Sequence, residues 1–133
     1  AYVGTVAEVS VDENGRLVVH DMWMCIDAGT VVNTDRVHSQ LEGAAIFGMS
    51  LTLHGELTAS EGAIVEGNFD TYPMARIGEV PHKIHTHIME SDAPPGGVGE
   101  PGVPPVAPAI VNAYFAATGQ RVRELPLRNA GLT

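Results

Sequence analysis

Between Ala93 and Pro108 the chain carries four glycines, six prolines and a single acid, Glu100. Glycine and proline shape such a loop without adding charge. A lone carboxylate held there suits general-base work, because burial without a partner raises its pKa toward neutrality. The competing reading is an exposed acid in a surface loop. The letters Gly97-Val98-Gly99-Glu100-Pro101-Gly102 also fit the G-x-G-x-x-G pattern of dinucleotide sites, and Glu124 stands about 20 residues on, where a ribose-binding acid is expected. Three features oppose that reading. The preceding strand ends well before the first glycine of the pattern, so the turn is not tight. Pro104, Pro105 and Pro108 lie where a pyrophosphate needs helix N–H donors, and proline has none. Only one such unit exists in the chain.

Three more groups bear on chemistry. His82, His85 and His87 offer three imidazoles; on a strand, His85 and His87 share one face and His82 takes the other. A zinc site there would need a ligand from elsewhere, and exposed strand histidines are the plainer reading, so no metal ligand is assigned. Gln40 falls beside Val37, Ala44 and Phe47 on the inward flank of a helix. A buried amide there either bonds to backbone or meets a polar ligand. Cys25 is the only cysteine, so no internal disulfide and no cysteine-built cluster exists. Its apolar neighbours, Met22 to Ile26, predict a buried, inert thiol.

These groups need elements to hold them. Tyr2 to Val11 alternates with period two and predicts a strand. Asp12-Glu13-Asn14-Gly15 predicts a hairpin turn, and Arg16 to Asp27 a second strand. Weak alternation near its end predicts burial on both faces. Asn33, Thr34 and Asp35 are candidate caps of a helix running to about His54, stopped by Gly55. Its predicted inner face is Val37, Leu41, Ala44, Phe47, Gly48 and Leu51. The small residues Gly43, Ala44, Ala45 and Gly48 predict close approach by another element. Glu56 to Glu66 reads as a hairpin, Asn68 to Val80 as irregular, and His82 to Glu90 as a strand. Val103 to Thr118 reads as a helix ended by Gly119, and Gln120 to Leu127 as a closing strand. The expectation is a single α+β domain over residues 1–133, with hairpins and a mixed sheet packed against two main helices.

Composition excludes some partners. The formal net charge is -9, with 7 lysines and arginines against 16 acids. A nucleic-acid backbone needs clustered cations, and an anionic membrane surface needs a basic patch. No apolar run approaches the roughly 18 residues of a membrane span. No signal peptide is apparent, and a strand already begins at the second residue. The chain therefore reads as a piece of something longer, or a processed product.

The longer motifs point to a family. Gly97 through Ile110, followed by Asn112-Ala113-Tyr114-Phe115-Ala116-Ala117-Thr118-Gly119, resembles the C-terminal end of the molybdenum hydroxylase large subunit, as in the xanthine dehydrogenase and aldehyde oxidoreductase superfamily. Ile26-Asp27-Ala28-Gly29, Val32-Asn33 and Gln40-Leu41-Glu42-Gly43 match in order and spacing. Asn68 to Pro73 and Ser91 to Gly97 most resemble the isoquinoline 1-oxidoreductase β-subunit branch. The resemblance covers nearly the whole chain. It implies that Glu100 is the catalytic general base, that Gln40 touches the pterin cofactor, and that the fold is part of the second molybdopterin-binding domain. It implies molybdopterin of the cytosine dinucleotide type and an iron–sulfur subunit in the intact enzyme. It further implies oxidation of N-heterocycles or aldehydes, with oxygen taken from water. The family's glycine-phenylalanine loop and its arginine-bearing segment over the cofactor have no counterpart here. The expectation is a C-terminal fragment that partners the rest of the large subunit and is inactive and cofactor-free alone. The alternative is a free-standing binding or assembly module of the same fold.

Overall fold

The computed structural model describes residues 1–133. Strand β1 (Tyr2–Val11) and strand β2 (Leu17–Asp27) form an antiparallel hairpin. Asp12 shapes its turn: the Oδ1 atom accepts the N–H groups of Asn14 and Arg16, both at 2.8 Å. Helix α1 (Thr34–His54) begins at Asn33, whose side chain accepts the Arg36 N–H at 3.1 Å. Gly55 ends it, with the Gly55 N–H donating to Leu51 O. Two short strands, β3 (Ala59–Ser60) and β4 (Ala63–Ile64), make the expected second hairpin. Strand β5 (Lys83–Ile88) then pairs parallel to β2, giving a mixed sheet in the order β1-β2-β5. Helix α2 (Val106–Thr118) packs on β1 and α1, and Gly119 caps it at φ 72°.

Both helices cover one face of the sheet. Sixteen buried residues form one core, centred on Met22, Met24, Ile26, Leu41, Met49, Val106 and Ile110. Burying each large apolar side chain contributes roughly 1.5–3 kcal/mol. β2 reaches this core through a bulge. Glu8 pairs with Asp21 and Val9 with Val19, which leaves His20 as an extra residue. Leu17 and Val19 before the bulge, and Met22, Met24 and Ile26 after it, therefore all face the helices. The expected two-sided burial of β2 is not found. Its outer positions Trp23 and Cys25 are apolar but uncovered, which hid the alternation. Cys25 is accordingly half-buried on the open face, not enclosed.

Two element expectations need correction. Residues 120–127 form no strand. Pro126 cannot donate to a ladder, and this segment instead leads into a 3-10 turn (Leu127–Ala130) whose Leu127 is buried. Its tie to the sheet is a single bond, from the Leu17 N–H to Leu132 O at 2.8 Å. α2 starts at Val106, three residues later than expected, because the segment through Pro104 and Pro105 is a series of turns.

Two exposed carboxyls sit below their ordinary range. Asp12 is lowered from 3.8, chiefly by the Arg16 N–H, and Glu66 from 4.5, chiefly by the Thr58 N–H. Thr58 gives Glu66 two bonds, from its N–H and its hydroxyl, each 2.7 Å. A lowered folded-state pKa means that stability is present above the unfolded value and is lost as pH falls through the folded one. Urea midpoints of the chain should therefore fall as pH drops below about 4.5. That acid limb should be shallower in Asp12→Ala and Glu66→Ala. An unchanged limb in both variants would remove these carboxyls as its source.

Candidate functional site

The segment from Ala93 to Val106 is fastened at both ends. At its start, the Thr30 N–H and Thr30 hydroxyl both donate to Ala93 O, at 2.9 and 3.1 Å. The Gly96 N–H donates to Ala28 O at 2.8 Å. These partners belong to the turn after β2. There Gly29 adopts φ 69°, and its N–H donates to Asp27 Oδ1 at 3.0 Å. A Cβ on Gly29 would lie 2.7 Å from Ala93 O and 2.9 Å from the Pro94 carbonyl carbon. Only glycine fits both that backbone angle and that gap.

At its end, the segment is pressed onto α1. A Cβ on Gly102 would lie 2.8 Å from Ala44 Cβ and 3.3 Å from both Leu41 Cδ2 and Met24 Cε. A Cβ on Gly48 would meet Val106 Cβ at 2.7 Å and Val103 O at 2.9 Å. Ala44 and Gly48 thus admit the loop and the start of α2, as their small size predicted, whereas Gly43 is exposed with nothing within 4 Å of a Cβ. Between the fastenings, Gly97 and Gly99 have open space around them, and Glu100 projects at the surface. The Glu100 backbone carbonyl accepts the Val103 N–H at 2.9 Å, while its carboxylate has no hydrogen-bond partner within the chain.

Of the two readings of Glu100, buried or exposed, the structure shows the exposed one: the loop carries its carboxylate outward. The expectation for Gln40 is corrected. It is exposed, because the buried face of α1 is Val37, Leu41, Ala44, Ala45, Gly48, Met49, Thr52 and Leu53. Phe47 and Leu51, expected inside, are 58% and 38% exposed on the same flank as Gln40. The loop that carries Glu100 packs on the helix that carries Gln40. Leu41, next to Gln40, is the residue on which Gly102, two positions past Glu100, rests.

The other groups lie elsewhere. His85 and His87 are on the open sheet face, as strand periodicity predicts. The His85 ring stacks on Trp23 at 5.0 Å, and its Nε2 lies 3.0 Å from Asp21 Oδ2. His82 precedes the strand; its N–H donates to His20 O, and the two rings stack at 6.4 Å. No three histidine, cysteine, aspartate or glutamate side chains come together in metal-ligand geometry. Pro105, without a side-chain cap bond, stands at the start of α2. Glu124 sits by a different cleft of about 390 Å³, with Arg121 and Arg123. No helix is long and apolar enough to cross a membrane. Residue reasoning missed Asp27, Thr30 and Gly102 as parts of the mount. Only the glycine in Asp27-Ala28-Gly29-Thr30 signalled a special backbone.

Comparison with known proteins gives the family of the chain. Residues 1–81 match the family model described as a molybdopterin cofactor-binding domain. The chain is 38% identical to the isoquinoline 1-oxidoreductase β subunit of Brevundimonas diminuta, over 98% of its own length and 17% of that protein. It is 40% identical to the membrane-bound aldehyde dehydrogenase (pyrroloquinoline-quinone) of Gluconacetobacter polyoxogenes, over 94% and 16%. The aldehyde oxidoreductase of Desulfovibrio gigas superposes with a TM-score of 0.77 at 30% identity, covering 94% of this chain and 14% of that one. The chain thus spans about a sixth of the length of the curated relatives it matches.

Proposed function

The chain belongs to the molybdopterin cofactor-binding domain family, and from that premise we propose that it is the C-terminal molybdopterin-binding portion of a molybdenum hydroxylase acting on N-heterocycles or aldehydes. Glu100 is its general base and Gln40 a cofactor contact. The observation that carries this reading is the doubly fastened loop, which holds an exposed carboxylate that serves no contact inside the chain. Binding and catalytic residues are disproportionately carried on loops that a rigid scaffold positions.

The residues present fit one wall of a cofactor site. Around Gly97 and Gly99 nothing stands within 4 Å of where a Cβ would be, so a flat ligand can approach their backbone. The exposed Gln40 amide makes no bond within the chain and keeps its donors and acceptor free. When bound, the molybdenum cofactor supplies the redox and oxygen-transfer chemistry. This chain would supply the rest of the wall's work: Gln40 would hold the pterin side by hydrogen bonds, and the Glu100 carboxylate would accept a proton at Oε. A base must lie within hydrogen-bond reach of the proton it takes, and the fastened loop would serve to hold that oxygen in place. The remaining walls come from the rest of the large subunit, with an iron–sulfur subunit as electron acceptor, so the isolated chain does not turn over. Isoquinoline-type heterocycles are the first substrates to try, since that relative matches almost the full chain.

The test is the intact subunit containing this chain, purified and assayed for molybdenum and for oxidation of isoquinoline and benzaldehyde. Gln40→Ala in that protein should lower molybdenum occupancy, since each lost hydrogen bond weakens retention by roughly 1 kcal/mol, about fivefold. Its thermal midpoint should not move. Full molybdenum retention in the variant would sink the Gln40 assignment. An intact subunit that purifies without molybdenum and oxidises neither compound would favour the non-catalytic module.

A further inference from the structure

We infer that Asp27 and Thr30 are positioning residues for Glu100, acting across the chain through the turn after β2. This rests on the reading of Glu100 as the base. Neither side chain touches the glutamate. Asp27 Oδ1 accepts the Gly29 N–H at 3.0 Å and so fixes the turn in which Gly29 takes φ 69°. With the turn fixed, Ala28 O and the Thr30 N–H and hydroxyl are aimed at the incoming loop. They bond to the Gly96 N–H and to Ala93 O at 2.8, 2.9 and 3.1 Å.

Three residues separate Gly96 from Glu100: a Cβ on Gly97 or Gly99 would meet nothing within 4 Å, and Val98 between them packs partly buried against the core. The path into Glu100 is therefore set by the bonds at Ala93 and Gly96 together with the packing of Val98. On the far side the loop is set by Gly102 against Ala44 and Leu41. The carboxylate is suspended between a hydrogen-bonded fastening and a packed one. The packed one is a matter of shape, whereas the hydrogen-bonded one is held by two polar side chains that contribute nothing to the core. A base displaced by about 1 Å can lose on the order of 10²-fold in rate, so loosening this fastening should appear in turnover.

Two measurements test the assignment. The first needs no cofactor: hydrogen–deuterium exchange of the 133-residue chain. Asp27→Ala and Thr30→Val should each raise exchange in the 96–106 segment, while α1 keeps its protection. Asp27→Asn and Thr30→Ser, which keep the acceptor and the hydroxyl, should restore it. The second is a cycle in the intact enzyme, with isoquinoline and benzaldehyde as probes. Asp27→Ala should lower kcat by about tenfold, equivalent to roughly 1.4 kcal/mol, with molybdenum content unchanged. In a Glu100→Gln background the same substitution should cost nothing further, because a mispositioned amide loses no base. An Asp27→Ala penalty that persists undiminished beside Glu100→Gln overturns the inference. Loss of protection throughout the chain also overturns it, since these residues would then be ordinary fold contacts. If Glu100→Gln alone leaves turnover intact, the reading of Glu100 fails first, and the exchange data still report whether Asp27 and Thr30 hold the loop.

Discussion

Glu100→Gln in the intact enzyme should lower kcat by about 10²–10⁴-fold, the usual cost of removing a general base. The amide keeps the shape and the hydrogen-bonding reach of the side chain but cannot accept the proton. The fold should not register the change. The carboxylate is exposed and makes no bond within the chain, so the expected stability change is within about 0.5 kcal/mol. Molybdenum content and the thermal midpoint should match the parent. That pairing makes the result informative, since an unfolded or cofactor-free variant would be inactive for another reason. Turnover retained within about tenfold would show that Glu100 is not the base.

Gly29→Ala should be the most damaging single-methyl addition in the chain. The residue sits at φ 69°, a backbone region that costs an L-residue roughly 1–2 kcal/mol. The new methyl would also meet the Ala93 and Pro94 backbone, which cannot rotate away as a side chain can. Together these should cost more than about 3 kcal/mol, a large share of the 5–15 kcal/mol that keeps a typical domain folded. Gly15→Ala is the control. Gly15 has φ 82° with nothing within 4 Å of its missing Cβ, so only the strain applies. Urea denaturation of both variants separates the two contributions. Equal midpoint losses would mean that the contact with Ala93 and Pro94 adds nothing.

Much of the architecture was legible from local chemistry. Asn14-Gly15 marked the first hairpin, and Asn33, Thr34 and Asp35 together marked the start of α1, because such residues satisfy backbone geometry on the spot. The loop, and Glu100 as its one acid, were legible from composition. The direction of burial was not. Phe47 and Leu51 are as apolar as Leu41 and Met49, yet α1 turns them outward. The reason is that α1 is covered along the line where Ala44, Ala45 and Gly48 let other elements approach. Gln40 was misplaced with them. For Glu100 the loop composition left burial and exposure both open. Composition does not say which side of a loop faces the core; here Ala28 and Thr30, far away in sequence, bond its start, and Val98 is the residue that packs inward. The segment after α2 carried strand-like residues, but Pro126 and Leu127 redirected it into the core.

The bulge in β2 turns an irregularity into a rule of counting. Along a strand every position has a parity, odd or even, that decides whether its side chain meets oil or water. β2 is written in two phases, one through Val19 and the other from Met22, and His20 is where they are joined. The imidazole itself has a modest task, a 2.7 Å bond to Ser10 Oγ. What β2 requires at this position is a residue more than a histidine. Ten other residues of β2 inherit their environment from its presence, so its identity is a matter of chemistry and its existence a matter of arithmetic.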